Sequence, residues 1–237
     1  MPMRAMTSRW TARRKRACAC PASSAIEGHD TSMSIRIQRF GEHLKMPWKN
    51  GLGITREVIS RPASDGLGGF DWRISLATVG ASGPFSIFSG IDRTIVVLEG
   101  DGMQLTVDGR QEPPLTVESV PFVFSGDAEV QADCLGGETL DLNVMSRRGC
   151  FVHRMTKIDV SDAQTLSLTA ETVAVVFRDE AVVAIDSLRS EVGLGDVLVG
   201  LDGPLQLAVE PRGSGCMLYI IEVNTLSAET PDAEQVA

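Results

Sequence analysis

The sequence predicts an all-β protein built from two related antiparallel barrel halves. From residue 33 onward, short apolar segments are separated by Gly, Pro, Asp and Ser, which is typical of strands joined by turns. Many segments alternate between apolar and polar side chains, and this period of two predicts sheets with one covered face. Three segments of the first half are echoed in the same order in the second half, which favours a duplicated barrel.

The predicted strands follow one another, and no helical stripe is longer than a few turns. Within 70–79, for example, Trp72, Ile74 and Leu76 share one face and polar side chains share the other. The predicted strands cover residues 34–40, 54–60, 70–79, 92–99, 103–108, 120–124, 128–134, 138–146, 150–158, 171–178, 181–186, 196–201, 204–209 and 215–224.

An internal sequence repeat divides the folded chain into two units. It relates residues 95–108 to 174–187, 120–126 to 196–200 and 140–144 to 218–222. Each similarity alone is weak, because apolar strands resemble one another. Their common order and similar spacing favour an N-terminal half over 33–160 and a C-terminal half over 161–237.

The first 32 residues have no sustained hydrophobic period, and they hold six basic against two acidic side chains. A secretory signal would need about 7–15 apolar residues after the basic cluster, where Pro21 interrupts a weakly apolar stretch. A basic nucleic-acid-binding tail is a second interpretation. The third, which we favour, is that translation begins at Met33. We therefore expect 1–32 to be a disordered basic extension upstream of the true start.

Charge and composition exclude several classes of protein. The 205 residues from 33 onward carry 16 basic and 29 acidic side chains, which disfavours nucleic-acid binding. No apolar run approaches the roughly 18 residues that span a bilayer, so a membrane protein is not expected. The five cysteines include no CxxC pair, as expected for buried thiols in a reducing cytosol, and we expect a cytoplasmic protein.

Four blocks hold the unusual polar residues: MPWKNGLGITREV at 46–58, FDWRISLATV at 70–79, GPFSIFSGIDRTIVVLEGDG at 83–102 and DLNVMSRRG at 141–149. In this order they closely resemble the HutD/Ves family, bacterial proteins associated with histidine utilisation and, in some members, stress response. The family is similar to cupins, so the resemblance implies a double cupin (bicupin, RmlC-like) fold. Leu52, Ile54 and Leu142 depart mildly from the family pattern.

These blocks supply the candidate ligand-binding residues. An arginine in a sheet must find a partner or face a cavity. Nearby carboxylates, Glu57, Asp71, Asp92 and Asp141, leave structural ion pairs as an open alternative. The tryptophans are either core residues or stacking platforms, and adjacent Arg147 and Arg148 must point to opposite faces. The candidates are Trp48, Lys49, Asn50, Arg56, Trp72, Arg73, Ser86, Asp92, Arg93, Asn143 and Arg147.

The resemblance to cupins also implies a test for a metal site. Metal-binding cupins show a G-x5-H-x-H-x3,4-E-x6-G pattern. Here Arg93 takes the place of the glutamate, and the histidine places fall near Ser86 and Phe88. A guanidinium is always protonated and has no acceptor, so it cannot ligate a cation. We expect neither a metal nor another cofactor.

Arginine matches a carboxylate in a bidentate manner, so the first hypothesis is a non-catalytic protein that binds a small anionic metabolite. The resemblance implies an intermediate of histidine breakdown such as urocanate or a formyl- or formimino-glutamate. A metal-free isomerase or epimerase is the second hypothesis, but it needs a positioned His and Tyr, and Tyr219 is the only tyrosine. A metabolite-responsive protein-interaction module is the third. A homodimer remains open, and no catalytic residue is assigned.

Overall fold

The computed structural model describes residues 34–48, 51–63, 69–201 and 203–226. The expectations about residues 1–33, Lys49 and Asn50 concern positions outside these ranges. Within the described ranges the chain forms nineteen strands and one short 3-10 helix, Phe40–Glu42. Every strand pair in these ranges is antiparallel, which confirms the all-β prediction.

In chain order the strands are β1 (Arg36–Gln38), β2 (Leu44–Pro47), β3 (Gly53–Pro62), β4 (Phe70–Val79), β5 (Gly83–Pro84), β6 (Ile91–Glu99), β7 (Met103–Val107), β8 (Arg110–Gln111), β9 (Phe122–Ser125), β10 (Val130–Cys134), β11 (Thr139–Arg147), β12 (Phe151–Val160), β13 (Gln164–Leu168), β14 (Thr172–Phe177), β15 (Ala181–Ile185), β16 (Leu188–Val192), β17 (Val197–Val199), β18 (Leu205–Pro211) and β19 (Cys216–Thr225).

The strands form four sheets, two in each half. In the first half the outer first sheet has the order β5-β10-β7-β8, and the inner first sheet has the order β2-β3-β4-β11-β6-β9. In the second half the inner second sheet has the order β1-β17-β14-β19-β12, and the outer second sheet has the order β13-β18-β15-β16. The two inner sheets face each other at the centre of the molecule.

Three apolar clusters hold these layers together. One lies between the sheets of the first half and includes Ile95 and Met103. A second lies between the sheets of the second half and includes Phe177. The third lies between the two inner sheets, where Leu142 of β11 and Tyr219 of β19 are both fully buried. The inner first sheet is therefore covered on both faces over much of its area, rather than on one face as the alternation alone suggested.

Two strands belong to a different half from the one suggested by their place in the chain. β1 pairs with β17, and β12 pairs with β19 along its whole length. β12 follows β11 directly, but both edges of β11 are already occupied by β4 and β6. The sheets of the second half therefore include 151–160, which the sequence analysis placed in the first half.

In the described part of the chain, no helix is long and apolar enough to cross a membrane.

Candidate functional site

A cavity of about 560 Å³ lies on the barrel side of the inner first sheet. Strands β4, β11 and β6 form one wall, and Trp48 and residues of the segment 84–88 also line the cavity. Successive residues of a strand point to opposite faces, so only alternate side chains reach the cavity. On β11, Asp141, Asn143 and Met145 line the cavity, while the intervening leucine and valine side chains pack against the second half.

The register of the three strands places the polar groups of the cavity in rows. Met145 is the Cα partner of Arg73 on β4 and of Arg93 on β6, so this row carries two guanidinium groups. The next row centres on Asn143, and the following one centres on Asp141. The side chains of Arg73 and Arg93 therefore leave the backbone at one end of the wall, and the side chain of Asp141 leaves it at the other end.

Arg93 is the most buried arginine of the cavity, with 5% of its surface exposed. Its guanidinium packs against the rings of Phe85 and Phe124, with centroid distances of 5.3 and 4.7 Å. Nη1 donates to the backbone oxygen of Ser86 at 3.3 Å, and Nε has no hydrogen-bond partner among the described residues. Burial lowers the pKa of Arg93 to about 10, while the charge of Asp141 opposes that shift.

Arg73 approaches the cavity from β4. Its guanidinium lies 4.6 Å from the centre of the Phe70 ring and donates to Sδ of Met145 at 3.5 Å. Burial lowers the pKa of Arg73, and the negative charge of Glu57 partly offsets this. The carboxylate that acts electrostatically on Arg93 is thus Asp141, whereas Glu57 acts on Arg73.

Asp141 and Asn143 are the buried acceptors of the cavity, with 2% and 5% of their surfaces exposed. Within the described part of the chain, Oδ1 of each side chain accepts no hydrogen bond. Burial raises the pKa of Asp141 to about 7, and the positive charge of Arg93 limits the rise. An unpaired buried acceptor costs free energy, so a ligand group that donates to it would be favoured.

Five of the sequence-predicted site residues line the cavity: Trp48, Arg73, Ser86, Arg93 and Asn143. The indole Nε1 of Trp48 donates to Oγ1 of Thr55 at 2.8 Å, which fixes the ring beside the cavity. Lys49 and Asn50 lie outside the described residues. The structure therefore brings together residues from all four sequence blocks, 46–58, 70–79, 83–102 and 141–149.

Four other candidates do not line the cavity. Arg56 donates to Oγ1 of Thr78 at 2.8 Å, and Trp72 packs against the cluster between the two inner sheets. Asp92 and Arg147 each form an ion pair away from the cavity, at 2.7 Å with Arg148 and at 3.2 Å with Asp71, respectively. Arg147, the last residue of β11, and Arg148, in the turn that follows, thus contact different partners.

Sequence reasoning named Asp141 only as an ion-pair partner and did not place it in the site. The sequence nevertheless contained a signal for this role of Asp141. In the segment 140–144, LDLNV, the polar residues Asp141 and Asn143 alternate with apolar ones. A polar residue on one face of a strand that is buried on both faces indicates a cavity or a buried partner. The aromatic rings around the arginines were likewise missed.

The residues present do not fit a metal of the cupin type. The three expected ligand positions hold Ser86, Phe88 and Arg93, and only Ser86 carries an oxygen that could ligate a cation. Over residues 34–48, 51–63, 69–201 and 203–226, no group of three or more His, Cys, Asp and Glu side chains lies close enough to hold a metal ion. The donor set of the cavity suits an anion instead.

Fold and site together define a double-barrel protein of the cupin type, with a cavity lined by arginines in its first barrel. The chain belongs to the HutD family, whose family model matches residues 41–217. The solved structure of HutD from Pseudomonas fluorescens SBW25 is 33% identical, with a TM-score of 0.68, and the match covers 82% of this chain and 100% of that one. This confirms both the family resemblance and the bicupin fold.

Two further relatives and one fold neighbour agree with this assignment. A Pseudomonas putida protein described as an uncharacterized 21.2 kDa protein in the hutC 3′ region is 36% identical over 79% of this chain and 97% of its own length. Protein Ves of Citrobacter koseri is 39% identical over 44% of this chain and 55% of its own length. A cupin 2 conserved barrel domain protein from Leptotrichia buccalis, at 12% identity and a TM-score of 0.54 over 80% of this chain and 96% of that one, shares the fold alone.

Proposed function

We propose that this protein binds a small carboxylate-bearing metabolite in the cavity of its first barrel, without a metal and without catalysing a reaction. The observation that carries this proposal is Arg93, a guanidinium with 5% exposure whose Nε has no hydrogen-bond partner among the described residues. Arg73 adds a second positive charge, and Asp141 supplies a single opposing carboxylate. The cavity therefore carries a net positive charge that a carboxylate neutralises with bidentate hydrogen bonds.

The biological setting we propose is histidine catabolism and its regulation, in the cytoplasm. The chain belongs to the HutD family, and its P. putida relative is described as lying in the hutC 3′ region. Urocanate, N-formylglutamate and N-formiminoglutamate are small acids of that pathway and are the ligand candidates. Cys134 and Cys216 are free thiols, which suits a reducing compartment.

An enzymatic role finds less support in the cavity. Acid–base chemistry in a metal-free barrel needs a titratable donor and acceptor within reach of the substrate. Asp141, with a pKa of about 7, is one such group, but His43, His153 and Tyr219 lie outside the described residues that line the cavity and supply no partner for it. Tyr219 is fully buried in the cluster between the inner sheets, where burial raises its pKa to about 12. It is poorly suited to exchange a proton with a ligand.

A thermal-shift screen of the full chain against these three acids, with formate as the smallest carboxylate, tests the proposal. A ligand present at about 100 times its Kd adds ~2.7 kcal/mol to the free energy of unfolding. We expect stabilisation of the wild type by at least one acid and a loss of that effect in Arg93→Ala. Arg189→Ala is the matched control, because this arginine is exposed and pairs with Glu210 in the second half. Equal stabilisation of Arg93→Ala would contradict the proposal.

A further inference from the structure

The polar groups of the cavity are segregated along the wall that β4, β11 and β6 form. The row through Met145 carries the guanidinium groups of Arg73 and Arg93. Asn143 lies two residues further along β11, and Asp141 lies four residues further. At about 3.4 Å per residue, the rows start about 7 and 14 Å from the arginine row. A ligand of several atoms thus meets cations at one end and acceptors at the other.

The acceptor end contains groups that the protein itself leaves unpaired. Oδ1 of Asp141 and Oδ1 of Asn143 are both buried, and no described residue donates a hydrogen bond to either. The remaining residues of these rows are Ala77 and Ser75 on β4 and apolar side chains on β6. An amide oxygen and an ionised carboxylate can only accept, so a ligand group that contacts Oδ1 of Asn143, or Asp141 above its pKa of about 7, must be a donor.

When Asp141 is ionised, its negative charge disfavours a second carboxylate beside it. The charge that acts on Asp141 comes from Arg93 on β6, while Arg73 on β4 lines the same cavity from the row of Met145. The arginines attract an anion to the opposite row. An uncharged ligand donor is favoured, because it satisfies the acceptors without adding a charge.

We propose that this cavity selects acids that also carry a hydrogen-bond donor, such as an amide N–H, with the carboxylate on Arg73 and Arg93 and the donor on Asp141 and Asn143. This inference rests on the proposed function, because it assigns a chemical class to the ligand of the same site. It makes Asp141 and Asn143 specificity-determining residues. An acid of equal size without the donor leaves both acceptors unpaired, and a site built around a hydrogen bond rejects such a ligand strongly.

An amide and its ester isostere test the inference, since replacement of N–H by O removes the donor with little change in shape. We would titrate the full chain calorimetrically at pH 8, where Asp141 is ionised, with 4-acetamidobutyrate and with 4-acetoxybutyrate, each of which carries a single carboxylate. The wild type should bind the amide at least about tenfold more tightly than the ester. In Asp141→Asn this preference should fall to about threefold or less, because the new side-chain amide can donate to the ester oxygen.

Asp133→Asn is the matched control, since it removes a carboxylate from an exposed position on β10. It should keep the wild-type preference for the amide. Equal affinity of the wild type for both acids, with both lost in Arg93→Ala, would overturn this inference and leave the proposed function intact. If neither acid binds the wild type, the inference is overturned. If, in addition, no acid in the thermal-shift screen stabilises the wild type, the proposed function is overturned too.

Discussion

Arg73 and Arg93 share one aromatic ring, since the guanidinium carbon of each lies 5.5 Å from the centroid of Phe88. The two arginines lie on strands separated by β11, and both are Cα partners of Met145. Their charges repel, and Arg73 contributes to the lowered pKa of Arg93. An anion between them would relieve this repulsion, so the arrangement favours a ligand that contacts both.

The first prediction separates charge from geometry at Arg93. Arg93→Ala should weaken binding of the carboxylate ligand by ~1.5–3 kcal/mol, the typical contribution of a hydrogen bond to a charged group. Arg93→Lys keeps the charge but loses the planar fork, so its affinity should fall between those of the wild type and the alanine variant. Calorimetric titration measures all three affinities. A lysine variant that binds as tightly as the wild type would show that charge alone is recognised.

The second prediction concerns the stability of the ligand-free protein as a function of pH. The pKa of Asp141 is raised to about 7 in the folded state, against 3.8 for an unperturbed aspartate. Between these values the unfolded chain releases the proton while the folded chain retains it, so stability falls as pH rises. Asp141→Asn should remove this dependence, which amounts to roughly 2–4 kcal/mol. Chemical denaturation of both proteins from pH 4 to 8 measures it. Parallel profiles would contradict the prediction.

The third prediction concerns a histidine that joins the two halves. His153 on β12 forms hydrogen bonds with Oγ1 of Thr94 at 2.8 Å and with Oγ of Ser146 at 2.7 Å. Both hydroxyls are buried, so His153→Leu should cost ~1–3 kcal/mol of unfolding free energy. Equilibrium denaturation at pH 8, where the imidazole is neutral, measures the loss. A cost below the experimental error would show that the hydroxyls find other partners.

The titration of the same histidine gives a pH dependence of opposite sign to that of Asp141. Burial lowers the pKa of His153, and the charge of Asp92 only partly opposes this. Below the usual pKa of 6.5 the unfolded chain binds a proton before the folded chain does, so acidification destabilises the fold. His153→Gln should lessen this loss. A stability difference between wild type and variant that stays constant with pH would contradict this prediction.

The fourth prediction concerns Gly126, which lies against the segment that carries Phe88. A Cβ at this position would lie 2.5 Å from the backbone oxygen of Phe88 and 2.8 Å from that of Ile91. Gly126→Ala should therefore cost roughly 1–3 kcal/mol and weaken ligand binding, because Phe88 packs on both arginines. Gly213→Ala is the control, since no atom lies within 4 Å of its added Cβ. Thermal denaturation and ligand titration compare the two variants.

Local periodicity was sufficient to predict the class of fold and, within regular stretches of strand, which neighbouring side chains lie on opposite faces. Short segments with a period of two, separated by turn residues, predicted an all-β chain, and the repeated blocks predicted two halves. The same period placed Arg93 and Asp92 on opposite faces, and the structure agrees: Arg93 lines the cavity, while Asp92 pairs with Arg148. These features depend on neighbouring residues alone.

Only the tertiary structure decided which face became the site. The inner first sheet is covered by the second half on one face and borders the cavity on the other, so hydropathy does not distinguish the two. Trp72 and Arg73 were therefore equal candidates in the sequence, although only Arg73 reaches the cavity. The pairing of β12 with β19, and the row that joins Arg93 to Met145, depend on contacts between distant segments of the chain. The local pattern determines which side chains share a face of a strand, but it does not specify which distant strand becomes the neighbour.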